Sequence, residues 1–253
     1  MVDFLAAIRT ESARFAACLR AGSWDAPVPS CPGWTLADLA WHLTEVQHYW
    51  ASIASDLLLD PGNVTKLERP ANDDLPDLFD DRSAALTSAL ERHPAATRCW
   101  SWAEDGWSIG WVRRRQAHEA LIHRVDAELA VGSRTDVDPD LARDGVDEVL
   151  TNMVFGIPEW ADFIPDESVV TLSVDGGPVI GMRFGRMVGT GPESGTDYDF
   201  ETLVPAEPGG PVVAGTPQAV DLWLWGRGGE SDLRTNEPEL VSRIRAILAD
   251  ATQ

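Results

Sequence analysis

The chain has 253 residues, enough for one large or two ordinary domains each with its own core, and its 44% hydrophobic and 24% charged content is ordinary for a globular protein. The charge balance is not ordinary: 41 acidic against 20 basic residues give a net charge of −21, which disfavours a nucleic-acid backbone or an anionic membrane surface as partner. Cys18, Cys31 and Cys99 lie far apart with no CxxC pair, and Asp3, Arg9, Glu11 and Arg14 interrupt the start as no signal peptide would, so a cytoplasmic protein without disulfides or membrane spans is expected.

The pattern predicts a first helix from about Asp3 to Ala21, with Leu5, Ile8, Phe15, Cys18 and Leu19 on one face and Gly22 as its stop. A Pro-rich segment, Ala26 to Gly33, leads to a second helix. Thr35 and Asp38 suit a capping box there, Trp34 can staple onto Leu39, and the stripe Leu39, Leu43, Val46, Trp50 and Ile53 runs on to about Leu59. A third helix fits Asp73 to His93, with Leu75, Leu78, Phe79, Leu86 and Leu90 inward. Four tryptophans between Trp100 and Trp111 show little regularity, and read as a core cap of the bundle or as an aromatic wall beside a site. A fourth helix follows, ending at Gly132.

Asp138-Pro139 opens a fifth helix to about Phe155, after which the character changes. Val169–Val174 and Val179–Phe184 read as a hairpin, Gly185 to Asp199 as a loop, and Phe200–Val204 and Val212–Ala214 as strands. Thr216-Pro217 starts a short helix ending at Gly226, and a last helix runs from Pro238 to Asp250. The fold class is therefore α+β: a four-helix bundle over 1–135, then a smaller α+β domain over 136–253 whose first helix, about 139–155, is able to pack on the bundle.

Chemistry concentrates in the fourth helix. At about 100° per residue, Glu119 and His123 fall within roughly 40° of one another, so a carboxylate and an imidazole one turn apart can close on one ion. His118 points away, and the string from His118 to His123 is not the H-E-x-x-H zinc-protease motif, its second histidine being one position late. His42, on the second helix, occupies a position where a bundle core expects an aliphatic residue. It is a hydrogen-bonded core histidine or, with Glu119 and His123 on another helix, a third ligand, since bundles build metal sites from facing side chains of different helices.

Three segments resemble the mycothiol-dependent maleylpyruvate isomerase family: Cys31-Pro-Gly-Trp-Thr-Leu-Ala-Asp-Leu-Ala-Trp-His-Leu43, Arg114-Arg-Gln-Ala-His-Glu-Ala-Leu-Ile-His-Arg-Val-Asp126 and Asp221-Leu-Trp-Leu-Trp-Gly-Arg227, in the family's order. The resemblance implies a DinB-like zinc-binding bundle followed by a domain like the sterol carrier proteins. It places the family's His, Glu and His ligands on His42, Glu119 and His123. It further implies a reaction in which the thiol mycothiol, activated at zinc, adds to the cis double bond of maleylpyruvate and leaves after rotation, or attacks another electrophile as an S-transferase. It matches Arg227 to an arginine at the cleft between domains, where a planar guanidinium can grip a substrate carboxylate; a charge closing the helix C-terminus is the plainer reading of the same residue.

Zinc with three protein ligands keeps an open position, which suits catalysis. Gln116 and Asp126, three residues from Glu119 and His123, are candidates to orient those ligands or are solvated residues of an exposed helix face. Arg113, Arg114 and Arg115 read as surface or salt-bridged charges, and Cys31 as a structural thiol. Two histidines and a carboxylate also describe a metal-dependent hydrolase or a non-haem iron enzyme, or a metal-binding regulatory protein without turnover. Nothing in the pattern identifies the electrophile, the oligomeric state, or a residue that reads the sugar and inositol groups distinguishing mycothiol from glutathione.

Overall fold

A computed structural model describes residues 2–103 and 106–251, without the side chains of Asp250 and Ala251. The chain divides into two compact units, Met1–Asp136 and Val137–Gln253.

The first unit is built on α1 (Phe4–Ala21), α2 (Leu36–Asp56), α3 (Leu75–Glu91) and α4 (Ile109–Ala130). α1 packs on α3 and α4, and α2 on the same two helices. Phe15, Leu19, Leu36, Leu39, Leu43, Leu75 and Phe79 form the buried cluster between them, with Trp34 and Trp41 packed against it. Asp3 caps α1 by accepting from the Ala6 amide. The capping box of α2 forms as the spacing predicts, Thr35 Oγ1 taking the Asp38 amide and Asp38 Oδ2 taking the Thr35 amide. Two details differ from the sequence reading. α2 ends at Asp56, where Leu57 turns left-handed (φ 50°), and its inward face uses Gln47, bonded to Ser12 Oγ at 2.9 Å, with Val46 only half-buried. α4 starts earlier than expected, capped by Ser108, so that Trp111 lies inside the helix.

In the second unit Asp138 caps α5 (Pro139–Val149), which runs into a π-helical turn, Leu150–Val154, and packs on α6 (Pro217–Leu224). Four strands, β1 (Ala161–Val174), β2 (Val179–Thr190), β3 (Asp197–Ala206) and β4 (Val212–Gly215), form a sheet in the order β3-β2-β1-β4. It is antiparallel except for the parallel β1–β4 pair. α7 (Pro238–Ala251) completes the unit.

The sequence reading of Gly185 to Asp199 as a loop is corrected here, because β2 continues to Thr190 and β3 begins at Asp197. The glycines that suggested a loop mark close approaches within a sheet: a Cβ at Gly185 would come within 2.4 Å of the Phe163 ring, and one at Gly189 within 2.9 Å of the Ala161 backbone.

Candidate metal centre

The capping box sets the start of α2, and His42 follows two turns later on the edge of its buried face. Its Nε2 lies 3.5 Å from Glu119 Oε1, and His123 Nε2 lies 3.1 Å from the same oxygen. The two imidazole rings meet edge-on with centroids 4.9 Å apart. Among the described residues, these three form a group whose ligand atoms all lie within 4.8 Å of one another. His42 and Glu119 face each other, and so do Trp50 and Trp111, eight positions later on α2 and eight earlier on α4, so the two helices run antiparallel. The side chains grade from 36% exposed at His42 through 18% at Glu119 to 12% at His123. His42 also lines a cleft of about 420 Å³ with Trp34, Asp38, Trp41, Glu45 and Arg69.

Each ligand candidate from α4 is held from behind. Arg115 Nη2 donates to Glu119 Oε2 at 2.7 Å, which leaves Oε1 toward the imidazoles. Asp126 Oδ2 takes His123 Nδ1 at 3.0 Å and the Cys31 thiol at 3.6 Å, while its Oδ1 takes Ser30 Oγ at 2.5 Å. With its Nδ1–H donated to Asp126, a neutral His123 has its Nε2 lone pair available to an ion.

The electrostatics favour a cation. Burial alone would push the Glu119 carboxyl up, but the charge of His123, hydrogen bonds from His123 and His42, and Arg115 outweigh it and hold the group well below the usual carboxylate range. Burial likewise works against a charged His123, yet the Glu119 charge and the hydrogen bonds to Asp126 and Glu119 carry its pKa up to about 9. Carboxylates that draw a proton to this point would draw a divalent cation to it. Two imidazole nitrogens and one carboxylate oxygen are a donor set that zinc accepts.

Residues 5–128 match the mycothiol maleylpyruvate isomerase N-terminal domain, and residues 140–237 the C-terminal domain of the same family. The chain belongs to the mycothiol-dependent maleylpyruvate isomerase family. It is an enzyme of that family. Its fold is similar to the crystal structure of a mycothiol-dependent maleylpyruvate isomerase, at 16% identity over 92% of both chains with a TM-score of 0.54. A histidine-to-alanine variant of that enzyme gives 0.55 at the same identity and coverage. No curated protein matches the chain in sequence.

The remaining candidates separate on the structure of this family member. His118 is buried and meets the Phe4 ring at 6.2 Å, outside the three-residue group. Gln116 and Asp126 are 1% and 0% exposed, so the sequence reading of a solvated helix face is corrected: α4 is covered by both α1 and α2. Arg115 is buried against Glu119 and Arg113 donates to the Leu90 and His93 carbonyls, so neither is a solvated surface charge. Trp50 stacks with Trp100 and meets Trp102 and Trp111 as a cap on the bundle, at about 12 Å along the helices from His42 and Glu119.

All three cysteines are free, and burial raises the thiols of Cys18 and Cys99, the latter to about 11, which makes them inert. Cys31 contacts Asp126, a role that sequence reasoning did not find. Among the described residues, no helix is long and apolar enough to cross a membrane.

Arg227 lies in the second unit at the end of α6. Gly226, at φ +76°, donates to the Trp223 carbonyl and the Arg227 amide to Leu222, which is the Schellman ending of a helix. Arg227 Nη1 donates to the Trp225 carbonyl and Arg245 Nη1 to Trp223 and Leu224, so two guanidiniums share this helix end. Burial, then the charge of Arg227, lower the pKa of Arg245, and a Cβ at Gly226 would strike the Arg245 guanidinium at 2.3 Å. Arg245 was not legible as a partner because it lies 18 positions further on, in α7.

Proposed function

We propose that His42, Glu119 and His123 bind one zinc ion and that this enzyme uses it to activate mycothiol for attack on an electrophile, cis–trans isomerisation of maleylpyruvate being the reaction that family membership favours. The observation that carries the reading is the convergence of two imidazoles on one carboxylate oxygen beside a cleft, with each α4 ligand fixed by a buried partner. Asp126 accepts the His123 Nδ1–H and so fixes the tautomer, and Arg115 orients the Glu119 carboxylate. A zinc ion held by three protein ligands would take a thiol at its open position and keep it as thiolate at neutral pH.

The chain itself then needs no nucleophilic cysteine, in agreement with the inert thiols of Cys18 and Cys99. The cosubstrate's thiolate forms a carbon–sulfur bond with one carbon of the cis double bond, and the π electron pair moves onto the conjugated carbonyl oxygen. Rotation about the new single bond and return of that pair expel the thiolate and leave the trans isomer. An S-transferase would instead protonate the adduct and keep the carbon–sulfur bond. Arg227 is the residue we assign to a substrate carboxylate, with its planar fork as the reason for arginine at this position. The free cysteines support a reducing, cytoplasmic setting.

The test is metal content and thiol-dependent isomerisation of protein purified without added metal. One equivalent of zinc and turnover that requires mycothiol are expected. Iron in place of zinc, or turnover without any thiol, would sink the reading and favour the hydrolase or oxygenase class.

A further inference from the structure

We propose that the cleft beside His42 is a carbohydrate-recognising subsite, which holds the sugar and inositol part of the thiol cosubstrate with its sulfur directed at the His42, Glu119 and His123 group; this rests on the thiol reading above. At about 420 Å³ the cleft has the volume of a site for a ligand of disaccharide size. Two of its lining residues, Trp34 and Trp41, are half-buried and packed against the bundle core, so their indoles are held in place before any ligand arrives. Trp34 also meets the His42 ring edge-on at 5.1 Å, which joins the cleft to the metal-binding group. Indole surfaces beside charged groups suit a sugar ring, whose C–H faces are apolar and whose rim carries hydroxyls.

The polar groups have the complementary capacity. Asp38 is already committed, with Oδ2 on the Thr35 amide and hydroxyl and Oδ1 on Arg69 Nη1 at 3.2 Å. That single bond steadies Arg69, while its Nε and Nη2 make no hydrogen bond to a described residue. Glu45 is exposed, one turn beyond Trp41 and His42, and likewise has no partner among the described residues. A carboxylate that accepts from hydroxyls and a guanidinium edge that donates to them can read a vicinal diol from both sides. Charge argues against the other small-molecule occupant. Asp38 and Glu45 outnumber Arg69, on a chain of net charge −21, so a dicarboxylate is repelled where a neutral polyol is not.

Both Glu45 and Arg69 are exposed, so Glu45→Gln and Arg69→Gln leave the fold intact while removing the recognition chemistry. Calorimetry with the sulfur-free N-acetylglucosaminyl-inositol fragment, uncharged like the amide-linked cosubstrate, should show saturable binding to the whole protein, weakened about tenfold in each variant. In kinetics, the ratio of kcat/KM for mycothiol to that for the sugar-free and likewise uncharged thiol N-acetylcysteine amide should fall by about the same factor. A wild type that does not bind the fragment, variants that bind it normally, or a KM increase confined to the unsaturated diacid would each overturn the subsite. Because the fragment carries no sulfur, variant-sensitive binding would stand even if no thiol-dependent isomerisation were found, which separates this inference from the proposed reaction.

Discussion

At His123 two carboxylates act on one imidazole, and the division of labour between its nitrogens decides what the ring can bind. Asp126 takes Nδ1 and Glu119 faces Nε2. Asp126→Asn, which keeps the volume and loses the charge, should lower zinc affinity by about 10- to 100-fold in a chelator competition; affinity within twofold of wild type would deny it any orienting role. His42→Ala, Glu119→Ala and His123→Ala should each lose tight binding in the same assay, and His118→Ala, if folded, should keep it. Retention by the His123 variant and loss by the His118 variant would mean the wrong face of α4 had been assigned. The 3.6-residue period was enough to pair Glu119 with His123, whereas His42 needed both its odd place in an apolar stripe and the family resemblance. Ser30 and Cys31 were out of reach, because they meet Asp126 across 96 and 95 positions of chain that no local pattern spans.

The helix starts and the buried charges set the frame at the scale of elements. Thr35→Ala removes half of the α2 capping box and should cost about 1 kcal/mol in chemical denaturation; an unchanged midpoint would show that packing of Trp34 and Leu36 alone fixes this helix start. On the far side of α4, Arg124 bridges Glu11 at 2.6 Å and Glu128 at 2.8 Å, all three buried. Burial raises the Glu128 carboxyl, but hydrogen bonds from the Thr135 hydroxyl and amide, with Arg124, outweigh it and lower the pKa below 4.5. The folded state therefore favours the ionised form. Its stabilising contribution is present above about pH 4.5 and is lost as pH falls through the lowered native value. The stability gap between wild type and Glu128→Gln should accordingly narrow from pH 7 to pH 3; a constant gap would contradict the linkage. Helices were legible here because caps and stripes are local signals. The β2–β3 hairpin was not, since Gly185 and Gly189 accommodate neighbours from β1 that only the folded sheet brings near.

For the whole molecule, the second unit's Arg227 and Arg245 gather positive charge on a strongly acidic chain, at a helix end that only Gly226 allows. If Arg227 grips a substrate carboxylate, Arg227→Lys keeps the charge and loses the fork, so turnover should fall about tenfold or more with zinc content unchanged, and Arg227→Ala should fall further. Equal turnover in all three proteins would assign the residue to closing α6 alone. The switch from helical to strand periodicity near Gly156 was visible, but the pairing of β4 with β1 was not, because a parallel partner is set by the crossover and not by the strand. If the protein supplies three zinc ligands and the cosubstrate the fourth, X-ray absorption at the zinc edge will see the fourth arrive. Only nitrogen and oxygen neighbours are expected in the zinc-loaded protein, and one added sulfur at about 2.3 Å after mycothiol binds. A sulfur neighbour already present before the thiol is added, or none after it, would contradict a site of three protein ligands completed by the cosubstrate.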